Sequence, residues 1–411
     1  MYINRTIQDH VIEISQHFPV LILCGARQVG KTTLLRNISE RISTGGKINY
    51  VTLDNPMIRN VAKTDPELFL QQYKAPLIVD EIQYAPEILP YIKIRVDENR
   101  KNGQYFLTGS QMFTMMRNVS ESLAGRVGIL NLFALSIDEI YGIEEYPFLP
   151  ELSYVEKRVN NYRTDISSVF EIIYRGTMPQ MVIDKKLEPE TYFTSYVQTY
   201  LERDIRDIVA IRNEMKFLRF ISCVAARTGQ ELNYDEMARD AEVDGKTASS
   251  WLSLLVSSGL VYLLQPYFNN AIKRIVKRPK LYFMDTGLCC YLARWNNPKT
   301  LEVSAMSGAM FETFVIAEII KSYANNGKDI RNKFYFYRDN NFREIDLLII
   351  QNNGVYPIEI KKSADPGRNA IKHFNVLNDT GLEVKEGGVI CMCKDIVPID
   401  NKNRFIPIQC I

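Results

Sequence analysis

Lys31 and Thr32 close the string Gly25-Ala26-Arg27-Gln28-Val29-Gly30-Lys31-Thr32, which fits the pattern G-x-x-x-x-G-K-[S/T]. The residue types suit phosphate. Glycines at 25 and 30 let backbone N–H groups approach phosphate oxygens. The ammonium of Lys31 can reach β- and γ-phosphates, and the Thr32 hydroxyl can ligate Mg²⁺. Thr33 extends the set of backbone donors. A second pair, Asp80 and Glu81, follows the apolar run Leu77-Ile78-Val79. Asp80 at a strand end can hold the Mg²⁺ shell, and Glu81 can orient and polarise an attacking water. Small polar residues in Thr108-Gly109-Ser110 end another apolar run, so Thr108 or Ser110 can bond that water or a γ-phosphate. Arg126, after Gly125, is a candidate to stabilise charge on a transferring phosphoryl group. Each residue also has a plainer reading, as a turn, a polar strand end or a solvated arginine.

Three further groups stand apart. Glu312, Asp346, Glu359 and Lys361 form a D…E-x-K trio with an additional glutamate. Brought together, they can bind Mg²⁺ and set a lysine beside an attacking water; the bland reading is a hairpin with solvated acids. A basic run, Lys273, Arg274, Lys277, Arg278 and Lys280, suits phosphate contact with double-stranded DNA better than base readout. Docking of a protein is the equal alternative. Finally, Tyr192, Tyr196, Thr199, Tyr200 and Arg203 recur at helical spacing, a stripe that reads as core.

These residues need elements to hold them. Pro19 to Cys24 reads as a buried strand before the glycine loop, and Thr33 to Ile38 as the helix after it. A short amphipathic helix over residues 1–18 leads in, with Ile7, Val11, Ile14 and Phe18 on one side. Strands at 48–54, 75–80 and 104–108, separated by helical strings, imply a parallel sheet covered on both faces. Residues 151–212 are helical by pattern, with a break at Arg175-Gly176-Thr177-Met178-Pro179. Beyond them, Lys216 to Arg227, a helix capped by Asn233, and Thr247 to Ser258 precede strands at 260–264 and 280–284. Three helices and a β-wing describe a winged helix-turn-helix. An amphipathic helix over Gly308 to Glu318 carries Glu312. Strands at 344–350 and 356–361, turning at Asn352-Asn353-Gly354, bring Asp346 near Glu359 and Lys361.

Composition narrows the class. The 411 residues allow two to four domains, and 46% hydrophobic with 24% charged residues is ordinary for a globular protein. A formal net charge of +2 requires any nucleic-acid surface to be local. Seven dispersed cysteines, at 24, 223, 289, 290, 391, 393 and 410, argue for reduced thiols and against a zinc site. No apolar run has the length of a membrane span, and Met1-Tyr2-Ile3-Asn4-Arg5 lacks a signal-peptide core. The expectation is a cytoplasmic protein.

Taken in order, the strings Gly25 to Leu35, Leu77 to Gln83, Phe106 to Ser110, Glu121 to Val127 and Tyr200 to Ile205 resemble a prokaryotic branch of the AAA-type ATPases. In that branch a C-terminal domain of unknown function follows the ATPase. The resemblance runs over roughly residues 1–365. It implies ATP with Mg²⁺, rather than GTP. It puts Thr108 to Ser110 at a sensor position, Arg126 as a finger in a homo-oligomer, and Arg203 or Arg175 as a second sensor. The tetrad of Glu312, Asp346, Glu359 and Lys361 resembles the PD-(D/E)xK nuclease superfamily. The resulting expectation is a multidomain α/β protein. An AAA-like P-loop core (1–150), a helical lid (151–212), a winged helix (213–290) and a restriction-endonuclease-like α/β domain (300–411) follow one another. Its activity is ATP hydrolysis coupled to a DNA- or partner-binding module. An ATP-gated nuclease and a protein-docking switch with a silent C-terminal domain are the alternatives.

Overall fold

A computed structural model describes residues 2–42, 48–109, 122–160, 164–201, 214–267 and 278–411. Five short strands form the first sheet: β1 (Val20–Cys24), β2 (Asn49–Thr52), β3 (Leu77–Asp80), β4 (Tyr105–Gly109) and β5 (Val127–Asn131). All neighbours are parallel, in the order β2-β3-β4-β1-β5. Strands β1, β3 and β4 are buried along their whole length, as strands covered on both faces must be. Alternate residues serve different cores. Val20, Ile22, Leu77, Val79 and Leu107 join one core with the helices Pro66–Gln72 and Ile88–Glu98. Leu21, Leu23, Ile78 and Phe106 join another, which continues through the rest of the chain to Ile411. One face of the sheet is therefore the wall against which all later elements pack.

The leading helix is shorter than expected, Gln8–His17, because Arg5 turns inward ahead of it. Ile7 and Val11 are buried as expected. Helices Leu152–Arg158, Ile166–Arg175, Pro179–Ile183 and Pro189–Tyr196 fill the expected helical region. Three more helices follow: Glu214–Ala225, Tyr234–Asp240 and Gly245–Ser257. Asn233 caps the second through Glu236 N, and Asp244 caps the third through Thr247 N, so the third starts two residues early. Trp251, Leu254 and Leu255 face inward.

The hairpin after them, β6 (Val261–Pro266) and β7 (Lys280–Phe283), pairs antiparallel as expected. It does not stand alone. Gln265 pairs with Tyr335 and Pro266 with Phe336, which joins β6 to β8 (Phe334–Arg338). The second sheet continues with β9 (Glu344–Gln351), β10 (Gly354–Lys361), β11 (Glu383–Val384), β12 (Gly387–Cys391), β13 (Val397–Pro398) and β14 (Asn403–Pro407). Its order is β13-β14-β12-β10-β9-β8-β6-β7, with β11 also on β10. Asn352 and Asn353, at φ 51° and 59°, make the two-residue turn between β9 and β10. The helix carrying Glu312 spans Ser307–Asn325 and is buried on nearly every side, not amphipathic. It anchors the C-terminal unit to the first: Ile137 N donates to Glu318 Oε2 at 2.8 Å, and Lys321 Nζ to Leu135 O at 3.0 Å. Among the described residues no helix is long and apolar enough to cross a membrane.

Candidate functional site

The glycine loop leaves β1 at Cys24. Gly25 has φ +145°, and a Cβ there would lie 2.1 Å from Leu132 O, so a side chain is excluded. Gly30, at φ +97°, turns the chain into the helix Lys31–Asn37. Lys31 is only 6% exposed, and its Nζ donates to Gly25 O at 2.9 Å and Ala26 O at 2.8 Å. Burial pushes its pKa below the ordinary lysine value, and Glu81 opposes that most strongly.

The parallel register delivers the acids. Leu23 is level with Thr108, and Val79 with Leu107, so Asp80 and Thr108 emerge side by side at the C-terminal edge. Thr32 Oγ1 donates to Asp80 Oδ1 at 2.6 Å, Thr108 Oγ1 donates to the same oxygen, and Tyr50 OH donates to Asp80 Oδ2 at 3.1 Å. Glu81 N donates to Thr108 Oγ1 at 3.3 Å. Glu81 sits in the left-handed region at φ 57°, a conformation uncommon for a residue with a side chain. Burial raises its pKa, with Lys31 and a hydrogen bond from Gln83 Nε2 pulling the other way. Lys31, Thr32, Asp80, Glu81 and Thr108 thus meet as expected.

Four neighbours were not read from the sequence as part of this site. Arg5 is buried and ties the loop to the rest of the domain. Its guanidinium donates to Val29 O and Phe133 O, each at 2.8 Å, and to Glu139 Oε1 at 3.0 Å. Tyr192 and Tyr196 are core, as their spacing predicts, yet their hydroxyls reach the loop: Tyr192 OH to Gln28 Oε1 at 2.7 Å, Tyr196 OH to Arg27 O at 3.5 Å. Their signal was tyrosine where phenylalanine would fill the same space. Gly259, after the helix Gly245–Ser257, lies close to the loop, with room for a Cβ 3.9 Å from Ala26 N.

Other expected residues fall elsewhere. Arg126 precedes β5, and its carbonyl accepts from Val20 N, at the opposite end of β1 from the loop. That is a strand length away, about 17 Å, so Arg126 cannot serve its own chain's loop. It pairs with Asp97 at 2.6 Å instead. Arg175 donates to the carbonyls of Met181, Asp184 and Leu187, which ties the end of the helix Ile166–Arg175 to the helix Pro179–Ile183 and the turn after it. Lys280 is buried among carboxylates and is no phosphate contact, while Arg278 is exposed. Ser110, Arg203, Lys273, Arg274 and Lys277 lie outside the described residues.

The C-terminal tetrad also meets. Lys361 Nζ bridges Glu359 Oε1 at 2.6 Å and Asp346 Oδ2 at 3.2 Å, and Ile360 N donates to Asp346 Oδ2 at 2.8 Å. Glu312 accepts from Tyr282 OH at 2.5 Å and from Lys280 Nζ at 3.3 Å. Burial, then the charge of Asp346, raises the pKa of both Glu312 and Glu359. Among the described residues no group of three or more His, Cys, Asp or Glu side chains is placed to hold a metal. That fits the first site, where Thr32 and Asp80 would share Mg²⁺ with phosphate oxygens and water rather than cage it.

Residues 17–141 match a family described as an AAA domain. Residues 166–299 and 307–411 match two families described as domains of unknown function, DUF8612 and DUF4143. An uncharacterized protein of Mycobacterium tuberculosis is 28% identical over 351 residues, covering 85% of this chain and 71% of its own. An uncharacterized protein of Mycobacterium bovis matches to the same extent. The crystal structure of Cdc6p from Pyrobaculum aerophilum aligns over 63% of this chain and 86% of that chain, at 13% identity and a TM-score of 0.26. Lys31, Thr32, Asp80, Glu81 and Thr108 therefore lie within the segment that matches the AAA domain.

Proposed function

We propose that this protein binds Mg·ATP at the loop from Gly25 to Thr33 and hydrolyses it. The supporting observation is the convergence of Lys31, Thr32, Asp80, Glu81 and Thr108 at one edge of a parallel sheet. Lys31, now bonded to the loop's own carbonyls, turns to phosphate. Thr32 and Asp80 would hold Mg²⁺, which would supply charge neutralisation to the phosphates. Glu81, its pKa raised by burial, takes a proton from the attacking water. Thr108 fixes Asp80 and the Glu81 backbone.

The output is a change at the helices and hairpin of residues 214–283, read as a winged helix that binds DNA or a protein partner. The hydrogen bond from Tyr192 to Gln28 supports that coupling, because a loop that moves around phosphate must move against the helix that carries Tyr192. Arg126 acts, in this reading, on a neighbouring copy.

Steady-state ATP turnover, with and without double-stranded DNA at fixed salt, tests the proposal. Lys31→Ala is expected to lose nucleotide binding and turnover; unchanged turnover would sink the assignment. Stimulation by DNA assigns the hairpin to nucleic acid, and indifference assigns it to a protein partner.

A further inference from the structure

The nuclease-like reading of the C-terminal unit carries with it a divalent cation among Glu312, Asp346 and Glu359. The donor set does not fit one. Four carboxylates converge: Glu312 from the long helix, Glu344 and Asp346 from one face of β9, and Glu359 from β10. Into their midst β7 sends Lys280, which is 4% exposed. Its Nζ lies 2.6 Å from Glu344 Oε1, 3.3 Å from Glu312 Oε1 and 4.0 Å from Asp346 Oδ1, with the Phe336 ring 5.5 Å away. The other oxygen of Asp346 faces Lys361 and the Ile360 N–H. Both oxygens of the central acid are thus turned toward cationic or N–H donors. A metal needs those lone pairs around one shared point.

We infer that the Lys280 ammonium is the resident cation of this cluster, so that the C-terminal unit folds without a divalent metal and does not cleave nucleic acid. The lysine is well held. Its backbone bridges to Glu231, and Leu232 N donates to Pro279 O at 2.8 Å. Burial disfavours its charge, but Glu312, Asp346 and Glu344 together outweigh that and hold its pKa above the ordinary lysine value. Metal entry requires Lys280 to leave a buried, fully paired position, against repulsion between like charges. Lys280 also joins two modules, since β7 belongs to the hairpin and its partners to the C-terminal strands and helix. This inference is independent of the ATPase reading.

Manganese binding to the nucleotide-free full chain, followed by electron paramagnetic resonance, tests it. The wild type and Asp346→Asn are expected to bind Mn²⁺ equally. Lys280→Met is expected to gain one Mn²⁺ equivalent, lost again in the double variant with Asp346→Asn, and Mn²⁺ should raise its melting temperature but not that of the wild type. A wild-type Mn²⁺ site that Asp346→Asn removes would overturn the inference. So would metal-dependent plasmid nicking that Glu359→Gln abolishes, or a folded Lys280→Met with no gain. Should Lys280→Met not fold, Lys280→Gln takes its place, and the comparison of wild type with Asp346→Asn still decides.

Discussion

Asp80 is held by three hydroxyls, from Thr32, Thr108 and Tyr50, whereas Asp346 faces two ammonium groups and accepts from a peptide N–H. Both acids are buried, both end up beside a second acid, and each cluster contains a lysine. The difference lies in what a cation would meet. A hydroxyl can rotate and offer its own oxygen, so Thr32 and Asp80 can become ligands together. An ammonium has no lone pair to offer and cannot share the site. In the first cluster Lys31 is turned away from Asp80 onto backbone carbonyls, and a phosphate can take it over. In the second, Lys280 and Lys361 are already spent on the acids. Clustered carboxylates therefore do not make a metal site unless their partners can step aside.

Substitutions can break this contrast, and the largest effect belongs to the proposed general base. Glu81→Gln should leave nucleotide binding intact while lowering kcat by about 10²- to 10⁴-fold, measured by turnover and by binding of a fluorescent nucleotide. Next comes the structural acid: Asp346→Ala should cost about 1–3 kcal/mol in denaturant unfolding, because it leaves the buried Ile360 N–H without its acceptor and takes one carboxylate from Lys361, with ATP affinity unchanged. Loss of ATP affinity in that variant would mean that the clusters communicate. A smaller effect is expected at the cover of the loop. Tyr192→Phe removes one hydrogen bond to Gln28, worth about 1 kcal/mol, and should change nucleotide affinity several-fold without changing the fold, as read by calorimetry. Smallest is a shift of pH dependence. Gln83 donates to the Glu81 carboxylate and holds its pKa down. As the proposed base, Glu81 works deprotonated, so activity should rise with pH through its pKa. Gln83→Leu should move that acidic limb to higher pH; an unmoved limb would remove Glu81 from the role of base.

Much of the first cluster was legible because its parts are local. The glycine loop is contiguous, and each acid or hydroxyl ends a short apolar run, so strand ends in a parallel sheet place them together. The β9–β10 hairpin was equally legible, since an Asn-Asn turn fixes register over a few residues. Arg5 was not, because a lone arginine before a helix gives no sign that it will reach a loop more than twenty residues away. Lys280 misled: as the last charge of a basic run it read as a phosphate contact, but it opens β7, a strand buried along its whole length. Arg126 looked poised for phosphate and emerged at the wrong end of its own sheet.

By itself, then, the sequence determined the phosphate loop, the acids at the strand ends and the hairpin that carries Asp346 and Glu359, all set by contacts within short stretches. Tertiary structure alone decided which cation faces each acid, that Tyr192 and Tyr196 touch the loop, and that strands β6 and β7 belong to the C-terminal sheet. Those outcomes depend on pairing and packing between segments tens to hundreds of residues apart, where the balance of burial and charge is settled only once the chain has closed on itself.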